Sequence, residues 1–273
     1  MLFSVIIASF NRKEILRNSV EMVLNQSFPD FELIIIDDGS SDGTYEFITE
    51  NYPDKVLIHR KENSGVSDSR NVGARIAQGY YLIFLDDDDE IDKKWLLSFS
   101  RLANSCPSPD ILYCGMRIRN ISSGKLQIHT PDKEMWRFVL SGCWAMKRKI
   151  FEDIGGYDVR FKFGENNELF MRFFKEHRSS ARTMEINFTY NASGYGGSTN
   201  SQNIIESSVL LLSKHIDFFK RERELAGIYN RIAATNYLKI GKKSLARYFY
   251  LEAVKNNPWD LKSLFRFLQT FLL

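Results

Sequence analysis

The chain has 273 residues, of which 44% are hydrophobic and 14% aromatic, and its net charge is +3 from 37 basic and 34 acidic residues. This composition supports a substantial buried core, and the length allows one large domain or one domain with a small addition. The balanced charge gives no support for nucleic-acid binding, and no segment is long and apolar enough to span a bilayer.

The cysteines and the N-terminus indicate where the protein works. Cys106, Cys114 and Cys143 are odd in number and match no zinc spacing, so we expect reduced thiols in a cytoplasmic protein. The apolar stretch at residues 1–7 has no basic region before it and no cleavage-like site. We therefore predict that it is a first strand and not a signal peptide.

Strands and helices are predicted to alternate through the first 95 residues. Short apolar runs predict strands at 3–8, 31–36, 56–59 and 80–85, and helical patterns predict helices at 13–25, 44–51 and 69–78. A strand–helix order of this kind predicts a parallel sheet with crossover helices, which is a doubly wound α/β domain.

Polar loops follow three of these four strands, at residues 9–11, 37–38 and 86–89. Because ligands bind at the carboxyl ends of parallel strands, we expect the three loops to meet at one edge of the sheet. The last loop is four consecutive aspartates, whose charges repel unless a cation holds them. Mg²⁺ and Mn²⁺ often take one or two carboxylates together with substrate phosphates, whereas a lone acidic run more often faces solvent.

The rest of the chain is predicted to be mixed, and then helical. Helices are expected at 95–103, 149–154 and 167–176, and strands at 110–119, 125–130 and 144–146, with the first two of these strands forming a hairpin. From residue 204 onward the pattern is mostly helical. Residues 237–258 have the small and aromatic spacing of a single tetratricopeptide helix pair.

Five motifs resemble, in their order and spacing along the chain, those of family 2 glycosyltransferases with the GT-A fold. They are SVIIASFNR (4–12), DDGSSDGT (37–44), NSGVS with SRNVG (63–67 and 69–73), FLDDDD (84–89) and FGENNEL (163–169). The resemblance implies a Rossmann-like, mostly parallel sheet with flanking helices, plus a C-terminal helical extension. It also implies transfer of a sugar from a nucleotide-sugar with inversion at the anomeric carbon.

The same resemblance implies a division of the chain. Residues 1–204 would form the GT-A domain, with a nucleotide-sugar-binding half at 1–95 and an acceptor half at 96–204. Residues 205–273 would form the helical extension.

The resemblance implies that the donor is a UDP-sugar. Phe10 stands where the family often has a tyrosine that stacks on the base, and Asp38 would accept the uracil N3–H. The structural alternatives are an ordinary turn for the segment around Asp38 and a surface arginine for Arg70. The expected donor-binding residues are Ala8, Ser9, Phe10, Asn11, Asp38, Asn63, Gly65, Arg70, Asp86 and Asp87.

Asp86 and Asp88 match the Asp-x-Asp motif of the family, so the resemblance implies that they hold Mn²⁺ or Mg²⁺. Asp86 is expected to contact either the ribose or the metal. Spacing alone does not decide which two oxygens of the four aspartates bind the ion.

The catalytic segment departs from the family pattern. An inverting transfer needs a base for the acceptor hydroxyl, and the matched position holds Asn166, which does not accept a proton at neutral pH. Three explanations stay open. Glu165 or Glu168 is the base, with Glu165 slightly favoured; the enzyme works with a weak base; or the chain binds donor without efficient turnover.

The resulting hypothesis is a hexosyl- or N-acetylhexosaminyl-transferase acting on a glycan that is free or lipid-linked. The alternative is a non-catalytic sugar-nucleotide-binding or scaffold protein of the same fold. No nucleic-acid partner is expected, and an oligomer is compatible with the sequence. The basic run at 214–223 suits either a solvated helix face, which is favoured, or peripheral contact at the inner face of the cytoplasmic membrane.

Overall fold

The computed structural model of the chain describes residues 1–104, 107–131, 140–176, 179–192 and 199–271. Cys106 therefore lies outside the described residues. The strands are β1 (Phe3–Ser9), β2 (Phe31–Asp37), β3 (Leu57–Arg60), β4 (Tyr81–Asp86), β5 (Glu90–Ile91), β6 (Ile111–Asn120), β7 (Leu126–His129), β8 (Trp144–Lys147) and β9 (Ser180–Ala192).

The helices fall into two groups along the chain. The first six are α1 (Lys13–Leu24), α2 (Thr44–Asn51), α3 (Val66–Ile76), α4 (Trp95–Ala103), α5 (Arg148–Asp153) and α6 (Glu165–Lys175). The last five are α7 (Ser201–Lys214), α8 (Ile216–Arg221), α9 (Arg223–Lys239), α10 (Lys243–Asn256) and α11 (Leu261–Gln269).

The first four strands form the parallel part of the sheet. β1 pairs in parallel with β2 on one side and β4 on the other, and β2 pairs in parallel with β3. The central residues of β1, β2 and β4 are fully buried, as expected for apolar strands covered by helices on both faces. The order β3-β2-β1-β4 confirms the predicted doubly wound arrangement.

The sheet continues as β8-β6-β9-β5, with β7 paired to β6 outside this path. β8 is antiparallel to both β4 and β6, whereas β6 and β9 run in parallel. The antiparallel pairing of β6 with β7 confirms the predicted hairpin. The sequence did not indicate β5 or β9, since β5 has two residues and most of the 13 residues of β9 are only partly buried.

Two helices begin earlier than the sequence suggests. α3 begins at Val66 and not Ser69, directly after Gly65, whose φ of +94° is a conformation that favours glycine. α6 begins at Glu165 and not Asn167. In both cases the polar first turn lies before the apolar positions from which helical periodicity is recognised.

The chain divides into two compact units. Unit 1 comprises Met1–Val159 and Asn166–Ser193, and unit 2 comprises Arg160–Glu165 and Gly194–Leu273. Unit 2 contains the C-terminal helices that the sequence predicted. Among the described residues, no helix is both long enough and apolar enough to cross a bilayer.

Within unit 2, α9 and α10 form an antiparallel pair around small and aromatic side chains. The fully buried residues of these two helices are Ala233, Ala234, Ala246, Tyr250 and Ala253. Small residues allow close approach of the two helices, which explains the spacing seen in the sequence.

We predict that Gly142→Ala destabilises the fold far more than Gly155→Ala. Both glycines have positive φ, +90° and +84°, so alanine at either position pays about 1–2 kcal/mol for its backbone conformation. Only at Gly142 would the added methyl group overlap the Phe188 ring, whereas nothing lies within 4 Å at Gly155. Overpacking should add about 1–3 kcal/mol to the loss of unfolding free energy in Gly142→Ala, measured by denaturant unfolding. Equal losses for the two variants would contradict the packing of β9 against this turn.

Candidate active site

The structure brings the three polar loops together at the carboxyl edge of the parallel strands, as the topology predicted. The register pairs Ala8 of β1 with Asp86 of β4, and Ser9 with Asp37 of β2, so the strands end level with one another. The backbone N–H of Asp38 donates to the Ser9 carbonyl oxygen at 2.9 Å. The predicted base-binding loop and the Asp37–Asp38 loop are therefore directly bonded.

Asn11 fixes the shape of the loop after β1. Its φ of +53° is unusual for a residue with a side chain, although asparagine tolerates it. Its backbone N–H donates to the Ser40 hydroxyl at 2.9 Å, and its side-chain oxygen accepts from the Ser41 N–H at 2.8 Å. These bonds hold the turn in which the neighbouring Phe10 ring remains 46% exposed, so its face is accessible to a planar ligand.

Two of the four aspartates point into the protein. Asp87 accepts from the Ser9 hydroxyl at 2.6 Å and from Arg12 at 2.7 Å, and the Ser19 hydroxyl donates to its carbonyl oxygen at 2.6 Å. Asp89 accepts from the backbone N–H of Asn191 in β9 at 3.0 Å. Burial raises the pKa of both carboxyl groups, and that of Asp89 rises well above its usual range.

The other two aspartates are partly exposed and paired through one oxygen each. Arg70 Nη2 donates to Asp86 Oδ1 at 2.5 Å, and Arg12 Nη1 donates to Asp88 Oδ2 at 2.9 Å. Arg70 is buried, so it holds Asp86 from beneath. Among the described residues, the second oxygen of Asp86 and of Asp88 accepts no hydrogen bond.

The carboxylate oxygens of Asp86 and Asp88 fit a hard divalent cation whose remaining ligands come from a substrate. Asp86 and Asp88 each offer one unbonded carboxylate oxygen, and Mg²⁺ and Mn²⁺ prefer oxygen ligands. In the described parts of the chain, no three His, Cys, Asp or Glu residues form a cluster that could hold a metal ion. Two carboxylates alone leave most coordination positions for water or phosphate oxygens, which is how Mg²⁺ is commonly bound.

Asp38 is surrounded by hydrogen-bond donors beside these loops. Lys61 Nζ and the Ser64 N–H donate to its Oδ1, and the Gly65 N–H donates to its Oδ2 at 2.8 Å. Asp38 is almost fully buried, whereas Asn63 is exposed at the rim of the same loop. The positive φ of Gly65 turns its N–H toward Asp38, a conformation that residues with a β-carbon rarely adopt.

Asn166 is connected to Arg70 and Asn71 of α3 through Tyr157. The Tyr157 hydroxyl donates to Asn166 Oδ1 at 2.7 Å, and Asn166 Nδ2 lies 3.4 Å from the Ser141 hydroxyl. The Tyr157 ring lies 5.3 Å from the Arg70 guanidinium carbon, in cation–π geometry. Asn71 exchanges two 2.8 Å hydrogen bonds with the Tyr157 backbone. The pair Arg70–Asn71 thus holds Tyr157, and Tyr157 orients Asn166.

The two glutamates differ in environment. Glu168 is fully buried, and Arg172 donates to both of its carboxylate oxygens, at 2.9 Å and 2.7 Å. Arg172 also donates to the carbonyl oxygens of Ile154 and Gly156, so Glu168 is part of a buried structural network. Glu165 is only partly buried and is the first residue of α6, at the positive end of the helix dipole.

Three residues that contribute to this geometry were not among the predicted site residues. Arg12 bridges Asp87 and Asp88, Lys61 binds Asp38, and Tyr157 orients Asn166. Lys61 could have been found, because it directly follows β3 and lies at the same sheet edge as the other loops. Arg12 lay within a recognised motif, whereas no pattern in the sequence indicated Tyr157.

The sequence model of "Glycosyl transferase family 2" matches residues 4–155. An uncharacterised glycosyltransferase of Rickettsia prowazekii is 27% identical over 188 residues, which are 64% of this chain and 59% of that relative. A "PGL/p-HBAD biosynthesis glycosyltransferase" of Mycobacterium bovis is 26% identical over 206 residues, covering 73% of this chain and 80% of the relative. The match thus spans about six tenths of the length of the first relative.

Solved structures share the fold at low sequence identity. S. aureus TarS 1-349 in complex with UDP-GlcNAc superposes with a TM-score of 0.64 at 16% identity, covering 93% of this chain and 82% of that chain. The Pyrobaculum calidifontis mannosyltransferase in complex with GDP-Man and Mn²⁺ superposes with a TM-score of 0.62 at 15% identity, covering 93% of this chain and 75% of that chain. These matches confirm the GT-A fold that the sequence motifs implied.

The geometry around Tyr157 leads to a prediction about stability. Tyr157→Phe removes the hydroxyl that donates to Asn166, so we expect the free energy of unfolding to fall by about 0.5–1.5 kcal/mol. Tyr113→Phe is the matched control, because the buried Tyr113 hydroxyl has no hydrogen-bond partner among the described residues. Its removal should be neutral or slightly stabilising in the same urea titration. A Tyr113→Phe loss as large as that of Tyr157→Phe would contradict the assigned bond.

Proposed function

This chain belongs to glycosyl transferase family 2, and on that premise we propose that it transfers a sugar from a UDP-sugar to a hydroxyl group of a glycan acceptor, with inversion at the anomeric carbon. The observation that carries the proposal is the pair of partly exposed carboxylates, Asp86 and Asp88, each with an unbonded oxygen. Asp86 is the last residue of β4 and Asp88 lies in the loop after it, and the Ser9 hydroxyl next to Phe10 donates to Asp87 of that loop.

The nucleoside would bind between the loops that follow β1 and β2. The exposed face of Phe10 suits stacking against a base, which is worth about 1–3 kcal/mol in comparable contacts. Asp38 Oδ2 accepts one bond, from Gly65, and retains a lone pair for a ligand N–H. A hydrogen-bond acceptor at that position favours the N3–H of uracil over the unprotonated N3 of cytosine. This preference supports a UDP-sugar as the donor substrate. The UDP-GlcNAc bound to TarS is consistent with this choice.

Asp86 and Asp88 would hold Mn²⁺ or Mg²⁺ together with the donor diphosphate. A bound divalent cation would offset the charge that develops on the departing nucleoside diphosphate. The roles of this chain's own residues are to present two carboxylates at fixed positions and to surround them with Arg12 and Arg70. The arginines limit repulsion among the aspartates and can also pair with phosphate oxygens.

Glu165 is the proposed base for the acceptor hydroxyl. Glu168 is fully buried, and both of its oxygens are bound by Arg172, so a proton transfer to it would break a buried ion pair. Asn166 carries no proton acceptor of sufficient basicity, but its amide is held by Tyr157 and can position an acceptor hydroxyl. The division of roles is then removal of the proton by Glu165 and orientation by Asn166.

The proposed acceptor is a surface glycan, free or lipid-linked, and the transferred sugar is a hexose or an N-acetylhexosamine. The relative with the PGL/p-HBAD name supports a role in glycoconjugate biosynthesis. The free, buried thiols Cys114 and Cys143 support a cytoplasmic location. The second candidate function is donor binding without turnover, which the asparagine at position 166 favours.

Ligand-dependent thermal stability tests the donor site. At a hundredfold excess over the dissociation constant, a bound donor should stabilise the protein by about 2.7 kcal/mol. We expect this stabilisation with UDP-sugars plus Mn²⁺, and a much smaller effect with CDP-sugars, because cytosine has no N3–H; GDP- and dTDP-sugars complete the panel.

Two variants test the metal assignment in the same assay. Asp88→Asn should abolish the Mn²⁺-dependent part of the shift, because it removes one of the two exposed carboxylates. The matched control is Asp54→Asn, at an exposed aspartate outside the site, which should behave like the unmodified protein. Absence of any uridine-dependent shift at all Mn²⁺ and Mg²⁺ concentrations would overturn the proposed donor.

Three substitutions test the base. Glu165→Gln should lower the rate of UDP release with acceptor by about 10²–10⁴, the usual contribution of a positioned base. Glu168→Gln should lower the melting temperature, since it weakens a buried ion pair, with a smaller effect on the rate of the folded protein. Asn166→Asp should raise the rate at neutral pH, because it adds a carboxylate at the matched family position.

The outcomes separate the two candidate functions. If Glu165→Gln and Glu168→Gln each keep the rate within about tenfold, neither glutamate is the base. If UDP-sugars bind but no UDP is released with any acceptor, and Asn166→Asp restores release, the protein is a donor-binding protein that has lost its base.

A further inference from the structure

Unit 2 carries a largely exposed apolar surface on and around α11, on which Arg247 lies over the ring of Phe271. We call it the α11 stripe and define it as Trp259, Leu261, Phe265, Leu268 and Phe271. Trp259 is 89% exposed and each of the other four is more than half exposed. A contiguous surface of this kind usually marks an interaction site in a folded protein.

The stripe follows helical geometry. Leu261, Phe265 and Leu268 are spaced i, i+4, i+7, so they lie along one face of α11. The opposite face packs inward, where Ser263 and Thr270 are buried. The helix therefore packs on its own unit through one face and directs an apolar face to solvent.

The orientation of α11 is fixed by bonds at both ends. Asp260 caps the N-terminus by accepting from the Ser263 backbone N–H at 3.3 Å, and it also forms an ion pair with Arg231 of α9. At the other end, Arg247 of α10 donates to the Thr270 carbonyl oxygen at 2.8 Å. These bonds hold α11 on α9 and α10, and in this position the stripe is exposed.

The charge in the sequence around the stripe is mainly positive. From residue 242 to residue 271 there are six lysines and arginines and two acidic residues, Glu252 and Asp260. Both acidic residues are already in ion pairs, with Lys255 and Arg231. On α11 itself, the exposed Lys262 follows Leu261, so it lies about 100° further round the helix, at the border of the apolar face. Arg266 is instead turned toward its own unit, where its Nη1 donates to the hydroxyl groups of Thr235 and Tyr250.

An apolar face with aromatic residues and a cationic border matches the interface of an anionic lipid bilayer. We propose that the α11 stripe lies in the headgroup region of an anionic membrane, parallel to its surface, with Lys262 at the lipid phosphates. A second copy of the chain is the less suitable occupant, because a two-fold contact through this face would bring two positive segments together. The proposal concerns unit 2 alone and does not depend on the proposed transfer activity.

Trp259 provides a direct probe of membrane contact. Trp95 and Trp144 are fully buried, whereas Trp259 is exposed, so in a Trp136→Phe background brominated phosphatidylglycerol in vesicles should quench mainly the Trp259 fluorescence. We expect quenching and a blue shift with vesicles that contain phosphatidylglycerol, and at least a tenfold weaker effect with phosphatidylcholine alone. The Trp259→Phe variant should lose most of this signal while it still sediments with the vesicles.

Sedimentation with vesicles tests the stripe itself. Leu261→Ser/Phe265→Ser should reduce binding to phosphatidylglycerol vesicles at least tenfold, and Lys262→Glu should reduce it several-fold. The matched control is Leu57→Ser/Ile128→Ser, which changes two comparably exposed apolar residues of unit 1 and should bind as the unmodified chain does. Circular dichroism on each variant ensures that a loss of binding does not come from unfolding.

Two results would overturn the proposal. One is failure of the full chain to sediment with phosphatidylglycerol vesicles, and the other is unchanged binding of the stripe variant. If sedimentation equilibrium shows a dimer that the stripe variant dissociates, and no vesicle binding occurs, the occupant of the stripe is a second copy.

Discussion

The site depends on how the fold accommodates four consecutive carboxylates at one strand end. Ionised groups this close repel, and a buried carboxylate is costly unless donors surround it. The chain alternates them: Asp87 and Asp89 point inward, and Asp86 and Asp88 point outward. The inward pair connects β4 to the loop after β1 and to β9, so the outward pair is presented from a loop fixed on both sides.

The inward aspartates are the two members of the cluster whose ionisation is opposed by burial. Burial raises the pKa of Asp87 and Asp89, which means that folding favours their protonated forms more than water does. Each contributes to stability most fully when protonated, and that contribution falls as the pH rises through its raised pKa. Ser9 and Arg12 oppose this shift at Asp87, whereas Asp89 has one buried oxygen without a partner among the described residues. The two aspartates that remain exposed are therefore the ones suited to carry charge toward a ligand.

The sequence predicted the parallel half of the fold well, because each of its strands is a short apolar run and each polar loop follows such a run. It also predicted that residues 9–11, 37–38 and 86–89 meet, since strand order alone determines this. It did not predict β9, whose alternation of half-buried polar and apolar residues does not resemble a central strand. Nor could it separate inward from outward aspartates, because that depends on Ser9, Arg12 and Asn191, which are distant in sequence.

The position of Asn166 determines what the rest of the catalytic segment has to do. Its amide oxygen already accepts a bond from Tyr157, so its remaining capacity is mainly that of a donor through Nδ2. A hydrogen-bond donor can hold the oxygen of the hydroxyl group on the acceptor substrate, but it cannot increase the nucleophilicity of that oxygen. In the proposed transfer, removal of the proton is assigned to a neighbouring carboxylate, and Arg172 already binds both oxygens of Glu168. The proposal therefore gives this role to Glu165, which is partly exposed at the first position of α6.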